Sequence, residues 1–201
     1  MIETFYNPII EETDLDDAIQ RLPLFISDQD IHKYLGADFR IVKYAELDEM
    51  NHIDEILPHH KSCVIILIES EYNKGHFVAI GRFQDTIIQF DSYGGTIDRE
   101  LNYISKIMIR MLGAERNALS TLIKKSGYNT LVSKVKYQST KKICGLESSI
   151  CGRACIIFCS LFKMGYLLDD IHVLMNEKKD HYEMIYEVEL PYDIIFCLLI
   201  I

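Results

Sequence analysis

The feature that most constrains this fold is an apolar run in the C-terminal half, from Cys151 to Met164. It is too long for an ordinary strand and is followed by Gly165, so it predicts a buried helix that ends at that glycine. A helix that is apolar on most sides must be covered by other elements. The run begins with the pair Cys151-Gly152, which places a thiol at the amino terminus of the predicted helix.

Short apolar runs upstream predict a sheet. Residues 63–68 are rich in β-branched side chains and predict a buried strand. Residues 76–81 and 86–90 predict two more strands, and the four residues between them predict a hairpin. Residues 39–44 predict a short strand or extended arm.

Helices and further strands are predicted around this sheet. Apolar spacing and cap residues predict helices at 27–36, 97–112, 115–126 and from Asp169, as the cap, to Met175. Further strands are predicted at 135–138 and 184–190, and a buried strand or helical turn at 194–201. The fold class predicted is α/β (α+β), with a mixed, mainly antiparallel sheet packed on a buried central helix and with peripheral helices.

The domain organisation predicted is one domain over residues 1–201, because no change in composition marks a linker. Within it we expect an N-terminal helical or arm segment at 1–58, a catalytic core at 60–165, and a C-terminal helix and strand at 166–201.

Charge and composition exclude several classes of partner. Thirty acidic residues against 21 Lys and Arg give a net charge of −9, whereas nucleic-acid surfaces need clustered basic residues. No apolar run is long enough to span a bilayer, and the acidic start of the chain does not resemble an export signal. We therefore expect no nucleic acid, no membrane, and six reduced cysteines in a reducing, intracellular compartment.

Three residues could together form a nucleophilic site. His76 follows Gly75 at the start of one predicted strand, and Asp91 follows the end of the next. If these strands pair, both side chains lie at the same end of the sheet, where a carboxylate can orient an imidazole. Cys151 lies where the free N–H groups and dipole of a helix start favour a thiolate. The pattern indicates a Cys–His site for covalent catalysis.

The order of these segments resembles the adenovirus-protease and SUMO-protease clan of cysteine peptidases. The resemblance rests on GHFVAI at 75–80, FDSYG at 90–94, YQS at 137–139 and ICGRACIIF at 150–158. It covers roughly residues 60–165 and is closest to small viral or virophage-type maturation proteases. It implies an adenovirus-protease-like fold.

The resemblance also assigns roles to individual residues. His76 matches the general base and acid, Asp91 the group that orients it, Cys151 the nucleophile, and Gln138 the side chain that donates to the oxyanion. Phe77 replaces the family's tryptophan and is expected to cover the imidazole. The residues expected to contact substrate are Gly75, Phe77 and Gly152.

Cys144 is an alternative nucleophile. It lies six positions after Gln138, close to the family's spacing, whereas Cys151 lies thirteen positions after it. Residues 145–149 are polar, however, and do not open a buried helix. Since loops tolerate insertions at small cost, the helix favours Cys151 and makes residues 143–149 an inserted loop.

The function expected is a cysteine endopeptidase that processes viral capsid or scaffold precursors in the host cytoplasm or virion. An activating peptide is a candidate further partner. No cofactor and no metal are expected, because Cys151, Cys155 and Cys159 form no CxxC pair. The alternatives are a deubiquitinating or SUMO-type isopeptidase and a catalytically degenerate protein-binding module on the same fold.

Overall fold

The computed structural model describes residues 13–114 and 117–200. Its centre is a five-stranded sheet in the order β1-β2-β3-β4-β5. The strands are β1 (Ile41–Lys43), β2 (Cys63–Glu71), β3 (Lys74–Phe83), β4 (Thr86–Phe90) and β5 (Asn129–Val132). The α-helices are α1 (Thr13–Arg21), α2 (Asp28–Leu35), α3 (Lys106–Met111), α4 (Ala118–Ser126), α5 (Cys151–Met164), α6 (Leu168–Tyr186) and α7 (Tyr192–Leu199). Short 3₁₀ helices lie at Tyr44–Glu49, Ile53–Glu55 and Ile97–Tyr103.

The sheet is antiparallel in its centre and parallel at both edges. β3 pairs antiparallel with β2 and β4, whereas β1 pairs parallel with β2 and β5 pairs parallel with β4. The mixed α/β class is confirmed, but the parallel edges were not predicted. Parallel neighbours need long connections, and here these are the segments 44–62 and 91–128, whose short helices and loops do not indicate in which direction the next strand runs.

Several predicted elements are confirmed by the structure. Strands cover residues 63–68, 76–81 and 86–90, with the last two forming the predicted hairpin. The helix near residue 27 has Ser27 as its N-cap in a capping box with Asp30 and ends at Gly36. The apolar run forms α5 from Cys151 to Met164 and ends at Gly165 in the left-handed conformation, as predicted.

Other predicted elements are wrong. Residues 97–112 form a 3₁₀ helix and then α3, because Ser105 caps a new helix by accepting from the Met108 N–H. Residues 135–138 form no strand, and 184–190 are helical as far as Tyr186. α6 begins at Leu168, which puts Asp169 in its first turn rather than at the cap. β5 was missed. By contrast, the helical turn that was one alternative for 194–201 is confirmed as part of α7, and the helix predicted at 115–126 is confirmed over Ala118–Ser126; residues 115, 116 and 201 lie outside the described residues.

Helix α5 lies directly on one face of the sheet. Ala154, Cys155, Phe158 and Cys159 have no solvent-exposed surface. A Cβ atom on Gly81 of β3 would lie 2.5 Å from the Phe162 ring, so this glycine lets the helix approach the strand. The close packing fixes the start of α5 beside the hairpin of β3 and β4.

The segments that flank this core are bound to the start of α5 by Arg153. Its buried guanidinium donates to the Leu24 carbonyl at 2.9 Å and to the Ile200 carbonyl at 3.3 Å. Charged hydrogen bonds of this kind are stronger than neutral ones. Among the described helices, none is both long and apolar enough to cross a membrane.

Candidate active site

Three elements bring His76, Asp91 and Cys151 together. His76 lies near the start of β3, Asp91 directly follows β4, and Cys151 is the first residue of α5. His76 Nε2 lies 2.8 Å from Asp91 Oδ1, and the His76 ring also hydrogen-bonds the Cys151 side chain. Since Asp91 occupies Nε2, Nδ1 is the ring nitrogen left for the thiol.

His76 and Cys151 shift each other's pKa values. Burial opposes the charge on His76, but its hydrogen bonds to Asp91 and Cys151 outweigh this and raise its pKa to about 10. Burial likewise disfavours a Cys151 thiolate, but the hydrogen bond and charge of His76 and the N–H groups of Phe77 and Gly152 hold the thiol pKa below its usual value. At neutral pH the arrangement favours a thiolate–imidazolium pair.

Asp91 and Tyr93 hold the imidazole in place. Burial disfavours an ionised Asp91, yet the hydrogen bond from His76 outweighs this and lowers the pKa of the carboxyl group. Asp91 Oδ1 also accepts from the Tyr93 N–H at 3.0 Å. The Tyr93 ring stacks on His76 with centroids 5.0 Å apart. Tyr93 thus covers the imidazole, whereas Phe77, given this role from the sequence, is buried in the core.

Gln138 is positioned by Ser92, a residue that was not predicted to belong to the site. The Ser92 hydroxyl donates to Gln138 Oε1 at 2.7 Å, and the Ser92 carbonyl accepts from the N–H groups of Tyr137 and Gln138. Gln138 Nε2 donates to the Ser148 carbonyl at 2.7 Å. The side-chain amide nitrogen of glutamine carries two protons, so the second N–H of Gln138 remains to donate to an oxyanion. Its position inside the FDSYG segment, directly after Asp91, is the sequence feature from which Ser92 could have been predicted.

The two candidate cysteines lie in different surroundings. Cys144 is exposed in a tight turn closed by Ile143 and Leu146, with positive φ at both Cys144 and Gly145. Cys151 is buried against His76 and lines a cleft of about 1000 Å³ that Gln138 also lines. The long separation in sequence therefore does not keep Gln138 from sharing a cleft with Cys151.

Of the residues expected to contact substrate, Gly75 lines the cleft, whereas Gly152 and Phe77 pack against each other. Gly75 lines the cleft, and a Cβ there would lie 1.9 Å from the Ile68 carbonyl oxygen, so the β2–β3 backbones require glycine. Gly152 instead packs under Ile26 and the Phe77 ring, at 2.9 and 3.4 Å from the position of a Cβ. Gly152 and Phe77 contribute backbone N–H groups to the Cys151 sulfur.

His76 and Asp91 also belong to a group that includes Glu100. One ligand atom of each residue lies within 4.8 Å of the others, a spacing that could hold a metal ion. Glu100 is buried in the 3₁₀ helix that follows Asp91. Glu100 was not predicted as a site residue, because a single glutamate in an irregular segment carries no recognisable pattern.

Replacing Gln138 by alanine tests the oxyanion role. We expect kcat/KM for peptide hydrolysis to fall by about 10²–10³-fold, since one donor to the oxyanion is lost. The rate of Cys151 alkylation by iodoacetamide should stay unchanged, because that reaction forms no oxyanion. Gln20→Ala, on the exposed face of α1, is the matched control. An equal loss in both reactions would contradict the assignment.

Comparison with known proteins relates the chain to a viral protein. No family model matches the chain. The chain is 29% identical over 133 residues to an uncharacterized protein, V9, of Sputnik virophage, a match that covers 66% of this chain and 73% of that protein.

Proposed function

We propose that this protein is a cysteine peptidase. The observation that carries the proposal is the His76 ring, which hydrogen-bonds Asp91 on one side and Cys151 on the other. Cys151 lies at the start of a helix and at the wall of a cleft, as a nucleophile that must meet a substrate requires.

The proposed reaction follows from this geometry. The Cys151 thiolate attacks a peptide carbonyl carbon, and the resulting oxyanion accepts from Gln138 Nε2 and the Cys151 N–H. His76 then gives its Nδ1 proton to the leaving amine, which departs as the C–N bond breaks and a thioester remains. Water attacks the thioester while His76 takes its proton, and the acid product leaves with the thiolate restored.

The substrate class proposed is viral structural protein, namely capsid or scaffold precursors cleaved in the host cytoplasm or virion. Support comes from the resemblance to maturation proteases of the adenovirus-protease clan and from the similarity to a virophage protein. Exposed Phe25 and Tyr103 border the cleft and offer apolar contacts to an extended chain. An activating peptide remains a candidate partner.

A fluorogenic peptide library, with and without glycine before the scissile bond, tests the proposal. We expect turnover that prior treatment with iodoacetamide abolishes. Hydrolysis confined to substrates that carry a ubiquitin-like or SUMO-like C-terminus would favour an isopeptidase over an endopeptidase. A reactive Cys151 without any hydrolysis would favour the degenerate binding module.

A further inference from the structure

The carboxyl groups of Asp91 and Glu100 form a buried pair. Asp91 Oδ1 is occupied by His76 Nε2 and the Tyr93 N–H. Asp91 Oδ2 and Glu100 Oε1 are buried, and neither has an N–H or O–H donor among the described residues. The two side chains nevertheless lie within hydrogen-bonding reach of each other. Two carboxylates cannot share a hydrogen bond unless one carries a proton.

The surroundings place that proton on Glu100. Burial and the charge of Asp91 outweigh the opposing charges of His76 and Arg99 and raise the pKa of Glu100 to about 7. Arg99 Nη2 lies 3.6 Å from Glu100 Oε1, too far for a hydrogen bond, and donates instead to the Gly94 carbonyl. Among the described residues, Tyr93 and Cys155 are further titratable groups close to the pair: Tyr93 senses the charges of both carboxyl groups, and Cys155 senses the charge of Asp91.

We propose that Glu100 is a positioning residue whose protonated carboxyl group donates to Asp91 Oδ2 and holds Asp91 against His76. This inference deepens the proposed peptidase function and rests on it. Below about pH 7 the donor satisfies the second oxygen of a buried carboxylate. Above that pH the proton passes to solvent, and two like charges then repel each other beside the imidazole.

Infrared spectroscopy of the whole chain tests the shared proton. We expect the carbonyl band of a protonated carboxyl group at pH 6, its loss with a midpoint near pH 7, and its absence in Glu100→Gln. Glutamine keeps an N–H donor for Asp91 but cannot ionise, so it is the conservative variant. A band that is missing in the wild type, or that persists in Glu100→Gln, would overturn the proposal.

Alkylation of Cys151 tests the positioning role. At pH 6 we expect Glu100→Gln to react at the wild-type rate and Glu100→Ala to react about tenfold more slowly, equivalent to one pKa unit in the thiolate equilibrium. The ratio of the Glu100→Gln rate to the wild-type rate should rise as the pH passes 7. A flat ratio would overturn the proposal even if Glu100→Ala fails to fold.

Two further results distinguish the shared proton from a metal site and from the peptidase proposal. Tight Zn²⁺ binding by the wild type that is lost in Glu100→Gln would make the group a metal site and overturn the shared proton. The infrared and alkylation measurements need no peptide substrate. If both give the expected result while no peptide is cleaved, the peptidase proposal alone fails.

Discussion

Replacing Cys151 by alanine is expected to abolish peptide hydrolysis, with a loss of about 10⁴-fold or more, as when a covalent nucleophile is removed from a catalytic unit. The same change should remove the one cysteine that iodoacetamide modifies rapidly at pH 6. The reason is the His76 partner, which lowers the thiol pKa although burial alone would raise it. Mass spectrometry of the digested protein after brief labelling gives the site, and a peptide assay gives the activity.

The matched control is Cys144→Ala. Cys144 is exposed in a turn and is followed by glycine like Cys151, so it tests whether exposure alone makes a cysteine reactive. We expect this variant to keep full hydrolysis and rapid labelling at Cys151. Burial raises the pKa values of Cys155 and Cys159 well above the usual range, so they should stay unlabelled. Full activity in Cys151→Ala would contradict the assignment of the nucleophile.

The second large effect is expected from Asp91→Asn, which keeps the shape of the side chain and removes its charge. Without that charge the pKa of His76 falls, so the imidazolium and the thiolate that it stabilises become less populated. Peptide hydrolysis should fall by up to about 10⁴-fold, as when an orienting aspartate is neutralised. Alkylation of Cys151 at pH 6 should slow by about tenfold or more.

The loss in alkylation rate caused by Asp91→Asn is expected to be large at pH 6 and smaller at high pH. Raising the pH to 9 ionises a growing fraction of the variant's Cys151 thiol, so the difference in alkylation rate between the variant and the wild type should narrow. Asp180→Asn removes one negative charge from the exposed surface of α6 and should change neither rate. If Asp91→Asn alkylates at pH 6 as fast as the wild type, Asp91 does not stabilise the ion pair.

Local patterns were sufficient for the elements that carry His76, Asp91 and Cys151. The hairpin places the start of β3 beside the end of β4, and the apolar run with its terminal glycine defines α5. These features depend on hydrophobic periodicity and turn chemistry within a few residues, and such signals are legible in one sequence. The four-residue strand β5 was missed, and the apolar spacing at 97–112 did not reveal that Ser105 caps a second helix there.

The sequence by itself determined the α/β class, the hairpin, the central helix and the order of the candidate triad. Only the tertiary structure decided which cysteine meets His76, because loop 143–149 folds into a turn that keeps Cys144 exposed. It also introduced Ser92, Tyr93 and Glu100, whose roles depend on distances between segments far apart in the chain. Periodicity reports which face of an element is buried, whereas contacts between irregular segments are set by how the whole chain packs.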